Sequence, residues 1–216
     1  MKTMDIKEFL KPIERLDANN LQATFHKMAE DLCTNFCIQC NGKQYYFAEI
    51  EFYYFKEGVW AYNWNTATYP RKFEGKGGQL FYHLSGVDVC FDGNLEKGKN
   101  GGLSGNGGGI LIRSIVDSSV NSENQLIVGP LTCANTLLNA CDGKCMPSVQ
   151  PLNEIHNFKT TQTYRFFGAE DFSKIKEGTN RDGELKLAFY DGNFKQTDWN
   201  RARSSYYKTR FKYDNN

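Results

Sequence analysis

The chain has 216 residues and a formal net charge of +1, with 26 Lys and Arg set against 25 Asp and Glu. That length suits one domain, and a balance this near neutrality gives no long-range pull toward nucleic acid or an anionic membrane, so any basic site must be a local patch. Apolar residues at 40% suffice for a sizeable core, yet no apolar run reaches membrane-spanning length.

The first residues, Met1-Lys2-Thr3-Met4-Asp5, lack the apolar stretch of a secretory signal, so a cytoplasmic monomer with no membrane partner is expected. Residues 5–16 carry Ile6, Phe9, Leu10 and Ile13 at helical spacing, with Pro12 disturbing the middle. Residues 1–20 therefore read as an N-terminal helical extension. Asn19 or Asn20 can cap a longer helix whose stripe is Leu21, Phe25, Met28, Leu32 and Phe36. Asn41-Gly42 predicts a tight hairpin turn into a strand over 43–55.

Within that strand, Ala48-Glu49-Ile50-Glu51-Phe52-Tyr53-Tyr54-Phe55 alternates with period two. Ala48, Ile50, Phe52 and Tyr54 should share one face, and Glu49, Glu51, Tyr53 and Phe55 the other. A carboxylate among aromatics is costly to bury unless it is paired. Glu51 is thus either an edge residue facing water or a tuned acid/base group beside a flat ligand.

Residues 56–79 read as a long loop holding Trp60, Tyr62, Trp64 and Tyr69. Two strands, 79–83 and 87–92, follow with Ser85-Gly86 between them, then a Gly-rich loop over 93–109. A strand at 110–115, a helix over 131–139 opened by Gly129-Pro130, and short strands near 163–167, 185–189 and 210–213 complete the chain. The expected class is α+β: a single domain over 1–216, with a mainly antiparallel β-sheet and N-terminal helices packed against it.

Seven cysteines are an odd count for a disulfide framework. Cys37-x-x-Cys40 and Cys141-x-x-x-Cys145 are spaced like zinc half-sites, but free thiols are the expectation, and neither a metal nor another cofactor is called for.

The order of short motifs resembles the alkyladenine (alkylpurine) DNA glycosylase family. Glu49-Ile50-Glu51-Phe52-Tyr53 is similar to its Glu-Thr-Glu-Ala-Tyr strand, and Tyr69-Pro70-Arg71-Lys72 to its Thr-Pro-Arg-Asn. Gly78 to His83, Gly86 to Asp92, Ile110 to Ser114 and Gly129 to Cys133 are similar to the segments that follow in that family. The resemblance implies base flipping and monofunctional hydrolysis of the N-glycosidic bond of an alkylated or deaminated purine in DNA. It makes Glu51 the base that activates water, with Tyr53 stacking on the flipped purine and Tyr82 or His83 on its other side. Asn63 would replace a family histidine as a hydrogen-bond donor. Arg71, Ser85, Asp92 and Arg113 would lie along the DNA. Ser85 falls where the family has a tyrosine that fills the gap in the duplex, and Asp92 where it has an asparagine. Arg113 could instead serve a site carboxylate, or be a buried partner of Glu49 or Asp92. The other class of reading keeps the sheet and makes the aromatics a groove of a non-catalytic nucleic-acid or ligand-binding module.

Overall fold

The computed structural model describes residues 4–17, 19–56, 60–62, 76–94, 96–97, 103–120, 125–141, 143, 145–165, 188–195, 197–199 and 211–212. Helix α1 (Ile6–Leu10) runs into a 3-10 turn (Lys11–Arg15), and α2 (Leu21–Asn35) follows. Pro12 sits in the first turn of the 3-10 segment, where its missing N–H costs no hydrogen bond. Strands β1 (Phe36–Cys40) and β2 (Lys43–Lys56) are joined by Asn41-Gly42. Both turn residues have positive φ, 49° and 75°, the geometry a two-residue hairpin asks of its centre.

The expected loop after β2 contains a short strand, β3 (Trp60–Tyr62), which folds back on β2. Next come β4 (Leu80–His83), β5 (Gly86–Cys90), the β6 (Glu96–Lys97) and β7 (Leu103–Ser104) ribbon, and β8 (Asn106–Asp117). Beyond these lie β9 (Leu126–Val128), α3 (Pro130–Ala140), β10 (Ser148–Pro151), β11 (Thr160–Arg165), β12 (Ala188–Asp191) and β13 (Phe211–Lys212). The main sheet has eleven strands in the path β13-β11-β12-β2-β8-β5-β4, with β1, β10, β3 and β9 branching from it. Each of its ladders is antiparallel. The α+β architecture is thus the one expected. No helix among the described residues is long and apolar enough to cross a membrane.

One face of the sheet carries the main core. Ile50, Phe52 and Tyr54 of β2, Ile110 and Ile112 of β8, and Val87 and Val89 of β5 pack there with Phe25, Met28, Ala29 and Leu32 of α2 and with Cys133 and Leu137 of α3. Phe9, Leu10, Ile13 and Leu16 join the same core, so the N-terminal segment is part of the packed body. Tyr54 Oη donates to the Ile13 carbonyl (3.4 Å) and Lys56 Nζ to the Leu16 carbonyl (2.7 Å), fastening that segment to the end of β2.

The Gly-rich tract expected as loop to residue 109 becomes strand from Asn106 onward. Gly107, Gly108 and Gly109 stand opposite Phe55, Tyr54 and Tyr53 on β2. A Cβ at Gly108 would collide with the Tyr53 carbonyl oxygen, so absent side chains here admit a close approach of backbone. Gly108→Ala should lower stability by roughly 1–3 kcal/mol, read from the urea midpoint; an unchanged midpoint would show that the strands separate at no cost.

Candidate functional site

Strict alternation fails at one place in β2, and that failure builds the site. Phe47 pairs with Ile115 and Ile50 with Ile112, while between them Glu49 pairs with Ser114. Ala48 and Arg113 are therefore each one residue extra, a bulge on either strand, and the register is restored beyond them. The consequence is a change of phase. Phe47 and Ile50 both point into the helix-side core, whereas Ala48 belongs to the second cluster with Val116, Val128, Tyr190 and Trp199. Ala48 therefore does not share the face of Ile50, contrary to the alternation read from sequence, and lies beside Glu49.

Two consecutive residues of β8, Arg113 and Ser114, turn to the same side and meet the two glutamates. Arg113 Nη1 is 2.7 Å from Glu51 Oε2, and Arg113 Nε is 3.3 Å from Glu49 Oε1. Ser114 Oγ donates to Glu49 Oε2 at 2.9 Å. Glu51 is 0% exposed, Glu49 1% and Arg113 3%, which removes the water-facing alternative for Glu51. A guanidinium is planar and always charged, so it can hold two carboxylates at once where a lysine ammonium could not fix both orientations.

The ladder extends this cluster sideways. Leu111 pairs with Glu51 on one side and Asp88 on the other, putting Glu51, Leu111 and Asp88 in one row on one face. Two strand spacings separate the carboxyl-bearing residues, roughly 10 Å between backbones. Phe81 pairs with Asp88, and His83, two residues on, belongs to the same face. His83 Nε2 lies 2.9 Å from Asp88 Oδ2. The Ser85 N–H donates to His83 Nδ1 at 3.2 Å, which fixes that nitrogen as the acceptor and turns the Nε2–H toward Asp88. Burial, with a smaller contribution from the Glu51 charge, raises the Asp88 carboxyl above the usual range, and the His83 contact offsets part of this. Tyr53 is on the Glu51 face and packs with Leu111 and Phe55.

Tyr82 and His83 part company here. Tyr82 pairs with Val87, a residue of the helix-side core, and packs against that core itself. Its phenol lies near Cys141 and Cys40, and burial first and these thiols second push it well up. Only His83 of the two is on the side of Glu51. Ser85 is exposed in the β4–β5 turn. Asp92 is also exposed and lines a cavity of about 440 Å³ with Lys7, Leu10 and Lys11, on the side of the N-terminal segment. Asn63 and Arg71 lie outside the described residues. Arg113, one of the residues set along DNA, is buried between the glutamates, as the site-carboxylate and Glu49 alternatives require.

The paired cysteine half-sites do not converge as spaced. In β1, Cys40 and Ile38 share a face while Cys37 takes the other with Gln39. Cys40 instead meets both cysteines that follow α3: its Sγ is 3.3 Å from Cys141 and 4.0 Å from Cys145. Among the described residues, no group of three or more His, Cys, Asp or Glu is placed to hold a metal ion.

Asp88 and Ser114 escaped the sequence reading, whereas the Arg113–Glu49 contact was one of its alternatives. The signal for Asp88 was present, since a carboxylate at the centre of Gly86-Val87-Asp88-Val89-Cys90 shares its strand face with no apolar residue but Cys90. Ser114 gave none, because its orientation depends on the bulge.

No family model, no curated protein and no solved structure matches this chain.

Two outcomes follow from the charges. Arg113→Met leaves two carboxylates buried without their shared cation and should cost about 3–5 kcal/mol, measured by chemical denaturation. Asp88, with its folded pKa raised from 3.8, favours the native state below that value and loses this contribution as pH rises through the raised one. The stability of Asp88→Asn relative to wild type should therefore grow between pH 4 and pH 7; a constant difference would remove the burial cost from Asp88.

Proposed function

We propose that the chain is a glycosylase-like hydrolase that cleaves the N-glycosidic bond of an alkylated or deaminated purine in DNA, with Glu51 as the base. The observation that carries the reading is the Arg113–Glu51 contact at 2.7 Å, on the sheet face that also bears Tyr53 and His83. A water-activating carboxylate must be fixed in orientation, and a buried guanidinium 2.7 Å away does that. Glu51 takes the proton of a water that attacks the anomeric carbon. The sugar becomes cationic as the base departs, and a face with two carboxylates on one guanidinium suits that developing charge. Asp88, held toward its protonated form by burial, is the group suited to hand a proton to the leaving purine. Tyr53 and the His83–Phe81 pair, whose rings lie 5.9 Å apart, would offer flat surfaces to the base, each stack contributing roughly 1–3 kcal/mol.

The motifs along residues 21–140 support the same reading. Near-neutral charge implies that DNA is held by few phosphate contacts, with a shallow dependence of affinity on salt. The test follows release of free base from duplexes carrying alkylated purine or hypoxanthine. Glu51→Gln should bind the duplex as wild type does while the hydrolysis rate falls by roughly 10²–10⁴. Equal rates would remove Glu51 as the base. Binding without release of any base by wild type would replace the hydrolase by a binding module with an aromatic groove.

A further inference from the structure

Three of the seven cysteines meet at one end of the molecule, away from the Glu51 face. Cys40 ends β1 and is buried, Cys141 follows α3 and is half-buried, and Cys145 is exposed. The Cys40 sulfur lies 3.3 Å from that of Cys141 and 4.0 Å from that of Cys145. The Asn41 N–H, at the start of the β1–β2 turn, donates to Cys145 Sγ at 3.2 Å. An N–H aimed at sulfur is a contact suited to a thiolate, the form that attacks electrophiles.

We propose that Cys145 is a redox-reactive thiol, oxidised by a hydroperoxide and resolved by Cys40. The Cys145 thiolate attacks the peroxide oxygen, the O–O bond breaks, and the outgoing oxide takes a proton from water. Cys145 is left as a sulfenic acid. The Cys40 sulfur then attacks the Cys145 sulfur; the S–O bond breaks, and the hydroxyl leaves as water with the Cys40 proton. The peroxide is reduced by two electrons and the two thiols become one disulfide. An S–S bond is about 2.05 Å long, so the exposed Cys145 has to close about 2 Å onto a buried partner. Cys40 keeps its proton until that step, because burial and the neighbouring thiols push it up to about 12. Cys141, 3.3 Å from Cys40, is placed to exchange into the bond. The remaining cysteines, Cys33, Cys37, Cys90 and Cys133, are all buried and serve as internal references. This site is independent of the hydrolase reading.

The reduced full-length protein is treated with a small excess of hydrogen peroxide, its free thiols are alkylated, and peptides are mapped by mass spectrometry without reductant. The expected product has lost two hydrogens and links Cys145 or Cys141 to Cys40, reversibly with dithiothreitol. Cys145→Ser should slow that linkage about tenfold or more, and Cys40→Ser should leave a sulfenic acid on Cys145 that dimedone traps. Linkage at the wild-type rate in Cys145→Ser, or oxidation spread equally over all seven cysteines, overturns the proposal. So does one equivalent of zinc in the purified protein whose removal is needed before any oxidation occurs.

Discussion

A guanidinium between two glutamates sets the terms for the sheet around it. Arg113, Glu49 and Glu51 are each almost wholly buried, and an ionised group without a partner at such a depth would cost several kcal/mol. The three must therefore be delivered to the same point at the same time. Regular β-strands could gather those three on one face but could not add the Ser114 hydroxyl that holds Glu49, since Arg113 and Ser114 are consecutive and would face opposite ways. A bulge on each strand solves it, and because both strands carry one, the ladder resumes in register toward Tyr53 and Gly109.

The sheet then divides labour between its faces. Helices α1, α2 and α3 pack on the side of Ile50 and Phe52, where the apolar cluster is continuous. The other side holds Glu49, Glu51 and Arg113, with Asp88 two strands from β2 and His83 three. Polar side chains are thereby concentrated on the face opposite those three helices, beside the smaller apolar cluster of Ala48, Val116 and Trp199. The same division sends two adjacent aromatic residues, Tyr82 and His83, to unrelated surroundings: one beside thiols under α3, the other beside Asp88.

Much of this was legible in the residues. Asn41-Gly42 announces a hairpin because few other pairs accept positive φ at both positions, and Pro12 marks the place where α1 gives way to a 3-10 turn. The apolar stripe of α2 and the aromatic alternation of β2 beyond Ile50 follow from periodicity alone. What periodicity could not show is where it breaks. The bulge at Ala48 leaves no local mark, since alanine suits either face, and its counterpart at Arg113 makes sense only when both strands are paired. Likewise the cysteine spacing was misleading because Cys37-x-x-Cys40 lies in a strand, where residues three apart face opposite ways. The Gly-rich run to Gly109 read as loop because its fit depends on the aromatic strand opposite.

The paired bulges also bear on how such a site can be acquired or lost. Remove Ala48 from β2 and Arg113 from β8, and Phe47, Glu49, Ile50 would alternate regularly against Ile115, Ser114, Ile112. One extra residue in each of two strands thus interrupts an otherwise regular ladder, and one of the two is the cation itself. Losing the two residues together would leave Glu49 and Glu51 buried without their cation, so the charged centre can be discarded only when the glutamates change as well.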